Sequence, residues 1–138
     1  MMKILRKHQP EKADWNPARD ASLNSICVHA KGVTNPSQST IAMISVLDEK
    51  LQTNWITGTS ATCLSTFKPV FLPGGMPKTI TPTTEFYHKE NLWWRHEYLH
   101  RSVLQDYVHR FSLFKGEKEL IEQIIINETR KFIDMHLA

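Results

Sequence analysis

Long apolar runs are missing from this sequence, and no stretch approaches the roughly 20 residues that a membrane helix requires. The opening MMKILRKHQP carries charge without an apolar centre, which argues against a secretory signal. Cysteine is scarce: Cys27 and Cys63 are the only two, far apart in the chain. That spacing predicts free thiols in a reducing compartment rather than a disulfide framework. A cytoplasmic location is the expectation, in which the sequon Asn127-Glu128-Thr129 meets no glycosylation machinery. Charge of one sign is not in excess either. Lys plus Arg total 17 against 14 Asp plus Glu, a formal +3 spread along the chain. Without a basic stripe, nucleic acid is not an expected partner. Internal repeats and low-complexity tracts are also absent.

What remains is a chain of 138 residues, 41% apolar and 22% charged, the length and composition of one globular domain. Residues 1–23 are polar, and Pro10 and Pro17 interrupt any long helix there. Residues 24–72 hold the strand signals. NSICVHA at 24–30 is a short β-rich run, and STIAMISVLD at 39–48 is apolar on both faces, as a doubly buried strand would be. TNWITGTSA follows as a further strand, rich in Thr, Ile and Trp. TFKPVFL at 66–72 is extended, with Pro69 keeping it off a central ladder position. Residues 73–89 are loop, rich in Pro, Gly and Thr. Two helices fill residues 90–135. The first carries Leu92, Trp93, Leu99, Val103, Leu104, Tyr107, Phe111 and Phe114 at amphipathic spacing, with Gly116 as its stop. The second, from about Glu117 to Met135, carries Leu120, Ile121, Ile124, Ile125, Phe132 and Ile133 on its apolar side. Trp93 and Leu99 are expected to pack against the strands at 39–60.

His96-Glu97-Tyr98-Leu99-His100 matches H-E-x-x-H, the pattern in which two imidazoles one helical turn apart bind zinc and the glutamate works on its water. Both histidines fall on the apolar face, which suits a buried metal and suits packed core histidines equally. Glu119, Glu122 or Glu128 stands at a plausible distance for a third ligand. The longer metzincin pattern fails, because Val103 occupies its glycine position.

Four blocks in order carry a different signal. They are SICVHA at 25–30, QSTIAMIS at 38–45, TGTSATCLSTFKP at 57–69 and LWWRHE at 92–97. Together, over roughly residues 24–110, they make the chain resemble the secernin and dipeptidase-A family of N-terminal nucleophile (Ntn) hydrolases. The resemblance implies an α+β fold, the C-terminal part of an αββα sandwich with antiparallel strands followed by two helices. It implies amide-bond hydrolysis by an N-terminal cysteine whose own α-amino group serves as base, without a metal or other cofactor. In that family the tryptophan-rich helix is structural, so HEYLH is not expected to bind zinc.

The chain departs from that pattern at its start, Met1-Met2-Lys3, where no cysteine stands. The matching blocks belong to the later part of the family's chains, so no residue here is expected to be the catalytic nucleophile. Cys27, placed within a strand, has no free α-amino group. The expectation is a fragment or truncated relative, inactive alone. Thr57, Thr59, Ser60, Cys63 and Ser65 are its candidates for a substrate-pocket rim. Lys68 and Arg95 are candidates to bind a substrate carboxylate or to pair with acids such as Glu97. Expected partners are a peptide or small amide, together with a second copy or a missing N-terminal half. A zinc peptidase at HEYLH and a non-catalytic interaction or assembly module are the alternatives.

Overall fold

The computed structural model describes residues 1–33, 35–49, 51–75 and 82–137, with side chains through residue 135. It is an α+β chain: a three-stranded antiparallel sheet followed by two helices. The strands β1 (Met43–Val46), β2 (Thr53–Ile56) and β3 (Lys68–Val70) lie in the order β1-β2-β3. Met43 faces Ile56 across the first pair and Trp55 faces Pro69 across the second. Pro69 has no N–H to give a neighbour, and it sits on an edge strand, as the sequence predicts. Gly58, at φ +59°, then turns the chain out of β2 at a dihedral that favours glycine.

Before the sheet there is little regular structure. A 3₁₀ turn at Ile4–Arg6 precedes α1 (Pro17–Asp20), which starts on Pro17 and is capped by Asn16 Oδ1 accepting from the Ala18 N–H at 3.0 Å. The predicted strand at 24–30 does not form. Its backbone pairs piecemeal instead: the Cys27 N–H donates to the Lys7 carbonyl and the Val28 N–H to Ser39 Oγ, each at 3.0 Å. A ladder needs a continuous partner, and residues 24–30 have none among the described residues.

The 39–48 segment is also corrected. Only Met43–Val46 is strand, and it is an exposed edge; Ile41, Met43, Val46 and Leu47 are all more than half exposed. β2, in the centre, is the buried strand. Hydropathy cannot distinguish these two positions, because an edge strand with uncovered faces and a doubly covered one share a sequence pattern.

The helices break elsewhere than predicted. α2 spans Leu92–Leu104, opened by Asn91 Oδ1 accepting from the Trp93 and Trp94 N–H groups, and α3 runs unbroken from Tyr107 to Leu137 through Gly116. A helical glycine costs about 1 kcal/mol relative to alanine, and a helix this long absorbs that. The break at Gln105–Asp106 carries the weaker sequence signal of Asp106, a residue type favoured just before a helix. The faces differ too. α2 buries Glu97, His100 and Val103 while Leu99 is 38% exposed, so Leu99 does not pack under the sheet. Trp93 and Trp94 are half-buried and pack edge-on against each other, and the Trp94 indole donates to the Thr84 carbonyl. α3 buries Lys118, Glu122 and Thr129, leaving Leu120, Ile121, Ile124 and Phe132 outside. The centre of the predicted 73–89 loop, residues 76–81, lies outside the described residues; before it, Leu72–Gly74 form a 3₁₀ turn.

The core sits between the first third of the chain, with its little regular structure, the turn after β2 and the α2–α3 corner. Trp15, Cys27, Ala61, Cys63, Leu64, Val103 and Tyr107 form it, with Phe111 and Phe114 along its edge. One ion pair ties these parts. Arg6 clamps both oxygens of Glu122, at 2.5 and 2.7 Å, and also donates to the Thr62 and Ser65 carbonyls.

Candidate functional site

Three separate stretches of chain bring His8, Cys27, His29 and Cys63 together. His8 follows the first 3₁₀ turn, Cys27 and His29 belong to the 24–30 stretch, and Cys63 lies in the turn after β2. One side-chain ligand atom of each lies within 4.8 Å of all the others. His29 Nε2 stands 3.2 Å from Cys63 Sγ and 3.7 Å from Cys27 Sγ. Cys27 and His29 are completely buried. The sheet pairing of the predicted strand is what failed here: Cys27 and His29, two residues apart, still point the same way, but into a cluster instead of a sheet face.

The surroundings are aromatic. Trp15 stacks on His8 with 3.7 Å between ring centroids and 8° between planes, and the Tyr107 O–H donates to Cys63 Sγ at 3.4 Å. Burial pushes the Tyr107 phenol well above its ordinary range, so it remains a donor. The two thiols are pushed in opposite directions. Their hydrogen bond lowers Cys27, which burial opposes, while burial first and Cys27 second raise Cys63. A groove of about 790 Å³ opens beside the cluster, lined by His8, Cys63, Tyr107, Lys118 and Glu122 among others.

Of the five predicted pocket residues, Cys63 lines this groove. Thr57, Thr59, Ser60 and Ser65 are buried and bonded internally. Thr57 Oγ1 accepts from the Ala42 N–H at 2.9 Å, and Ser65 Oγ meets Thr59 Oγ1 at 2.8 Å and the Ala61 carbonyl at 3.0 Å. Lys68 donates to the Thr66 carbonyl, and burial lowers its pKa. Arg95 is exposed, and Glu97 pairs with Arg101 at 2.8 Å rather than with it.

The HEYLH residues are spent separately. His96 Nε2 donates to the Ser60 carbonyl and lies 3.3 Å from Ser65 Oγ. His100, 2% exposed, has Nδ1 3.4 Å from Glu97 Oε2 but not aligned for a hydrogen bond. No third ligand joins this pair among the described residues; Glu122 is held by Arg6 and Glu128 by Lys131. Sequence reasoning missed His8 and His29, and took Cys27 as an inert thiol. The available signal was Cys-x-His at 27–29, a ligand spacing too short to stand out without its partners.

Burial holds His96 down to about 4, against the Ser60 hydrogen bond, which raises it. Above about pH 6.5 its ring is neutral in both folded and unfolded chains. Below that, the unfolded chain takes up a proton that the folded chain refuses, so stability falls as pH drops toward 4. The loss approaches roughly 3 kcal/mol for this one group, and His100, also lowered by burial, acts in the same direction. Urea midpoints of the wild type should decrease between pH 7 and 5 more steeply than those of His96→Gln. Parallel slopes would show that His96 titrates normally.

Compared with family models, curated proteins and solved structures, the chain matches none.

Proposed function

We propose that this chain is the scaffold portion of a cysteine amide hydrolase of the secernin and dipeptidase-A kind, acting on dipeptides or small amides with a nucleophile it does not itself contain. One observation carries the reading: the four blocks that resemble the family meet around a single core. Val28 of the first block bonds Ser39 of the second, and Ala42 of the second exchanges bonds with Thr57 of the third. His29 of the first touches Cys63 of the third, and Ser65 of the third touches His96 of the fourth. Segments that resemble one family in order, and also pack on one another, support common origin more strongly than any block alone.

Two further features agree. Cys27 is 0% exposed and Cys63, in the groove wall, only 5%, and both lack the free α-amino base of an N-terminal nucleophile. The exposed apolar faces of β1 and α3 are the kind of surface that another sheet, helix or second copy covers in a complete sandwich.

The test reads the DNA upstream of Met1 and then assays the encoded protein. An in-frame or adjacent segment beginning, after processing, with cysteine should confer release of amino acids from a dipeptide panel, abolished by Cys→Ala at that position. The 138-residue chain alone should release none. Hydrolysis by this chain that disappears in Cys63→Ser would assign the chemistry to Cys63 instead. An inactive extended protein would remove the hydrolase reading.

A further inference from the structure

The Cys27–His29–Cys63–His8 cluster has the donor set and nearly the dimensions of a metal site. In a tetrahedral zinc centre with Zn–S near 2.3 Å and Zn–N near 2.0–2.1 Å, neighbouring ligand atoms stand about 3.3–3.8 Å apart. Of the two contacts of His29 Nε2, the one at 3.7 Å already falls in this range and the one at 3.2 Å is about 0.1 Å short of it. The 4.8 Å ceiling on the remaining separations requires contraction of about 1 Å between sulfurs and about 1.5 Å between nitrogens at most. Three of the four residues are buried, and His8 Nε2 is itself a buried nitrogen without a hydrogen-bond partner.

Simple packing does not account for this chemistry. Sulfur is a weak hydrogen-bond partner, so two thiols and two imidazoles satisfy one another poorly in an interior where polar groups are normally paired. Two thiolates and one Zn²⁺ sum to zero charge, so filling the site buries no net charge. The location has a structural reason as well. The described residues of 1–42 contain one 3₁₀ turn, a four-residue helix and an isolated bridge, too little ladder to hold them in place. Ligands at 8, 27, 29 and 63 would fasten that stretch to the turn after β2, much as metals staple small domains with meagre secondary structure.

We propose that His8, Cys27, His29 and Cys63 bind one Zn²⁺ as a closed, four-ligand structural site. Two sulfur and two nitrogen donors at tetrahedral separations favour zinc over hard cations, which take oxygen. Binding forms two Zn–S and two Zn–N bonds, and each thiol loses one proton to solvent. Tyr107, donating to Cys63 Sγ, is an outer-shell positioning residue, and Trp15 seals the His8 side. The assignment is independent of the hydrolase reading, because four protein ligands leave no open position for substrate.

The full chain, refolded under reductant with zinc and passed through gel filtration, should carry one zinc per chain by elemental analysis. Cobalt(II) in its place should give thiolate-to-cobalt charge transfer and the intense visible bands of a tetrahedral site. The wild-type spectrum needs no variant, so it stands even where a ligand variant fails to fold. Cys27→Ser and His8→Ala should each weaken zinc binding by ~100-fold or more, and Tyr107→Phe by about tenfold, the range for outer-shell changes. Removing zinc should loosen residues 1–42 in hydrogen exchange, and returning it should restore their protection. Three results would overturn the site: no stoichiometric zinc, cobalt bound without charge transfer, or a Cys27–Cys63 disulfide as the stable form under reductant. Zinc kept by the Cys27→Ser, Cys63→Ser double variant but lost in His96→Ala would move the metal to HEYLH.

Discussion

Glu122→Ala should destabilise the chain by about 3–5 kcal/mol, the range for removing one partner of a buried ion pair. The carboxylate is 10% exposed and the Arg6 side chain 15%. Glu122 accepts from both terminal nitrogens of Arg6 and from the Phe67 N–H at 3.0 Å. Burial pushes its carboxyl up, but these hydrogen bonds together hold it below the usual range, so it stays ionised. Alanine would leave a guanidinium inside the protein with two carbonyls and no counter-charge. The converse change is instructive, because removing both charges removes both desolvation costs. Arg6→Met with Glu122→Leu should therefore cost less than Glu122→Ala alone. Urea unfolding of the three proteins decides it. A single-variant loss below about 1 kcal/mol, the level of a surface pair, would place this bridge in solvent.

Phe67→Ala should cost a similar amount, about 3–5 kcal/mol, for a different reason. Phe67 is completely buried just before β3, with the Arg6 guanidinium 5.1 Å from its ring centroid. Truncation leaves a cavity beneath the ion pair and removes a cation–π contact. Phe86, 73% exposed, is the matched control and should change stability by no more than about 0.5 kcal/mol. Because Phe67 gives its N–H to Glu122, the two losses should not add in Phe67→Ala with Glu122→Ala. Strict additivity would mean that ring and ion pair are independent.

Local signals were read well where the physics is local. The amphipathic run placed a helix start near residue 90, and the structure caps it with Asn91, whose side chain needs only the next turn's N–H groups. Pro69 marks an edge strand, since its missing N–H excludes a central position. The two-helix ending and the α+β class follow from hydrophobic period in the same way. Gly116 misled because propensity is a small energy, outvoted by the long helix around it.

The candidate site was not legible, and residue separation is the cause. His8, Cys27, His29 and Cys63 span more than fifty positions of chain, and nothing in the sequence between them states that they meet. HEYLH drew attention because its members are four residues apart, yet helix periodicity only puts two histidines on one face. Whether a third ligand arrives depends on another element, and there Arg6 had already claimed Glu122.

Composition, period and punctuation alone determined that strands precede two helices in this chain. Each of those properties is decided within a few residues. The antiparallel pairing was an implication of the family resemblance. Which strand is the edge, which face of α3 turns inward and which four side chains share a centre were decided only by tertiary structure. Those outcomes depend on contacts between segments that hydropathy does not order: Arg6 reaching Glu122, and three stretches of chain converging on Cys63.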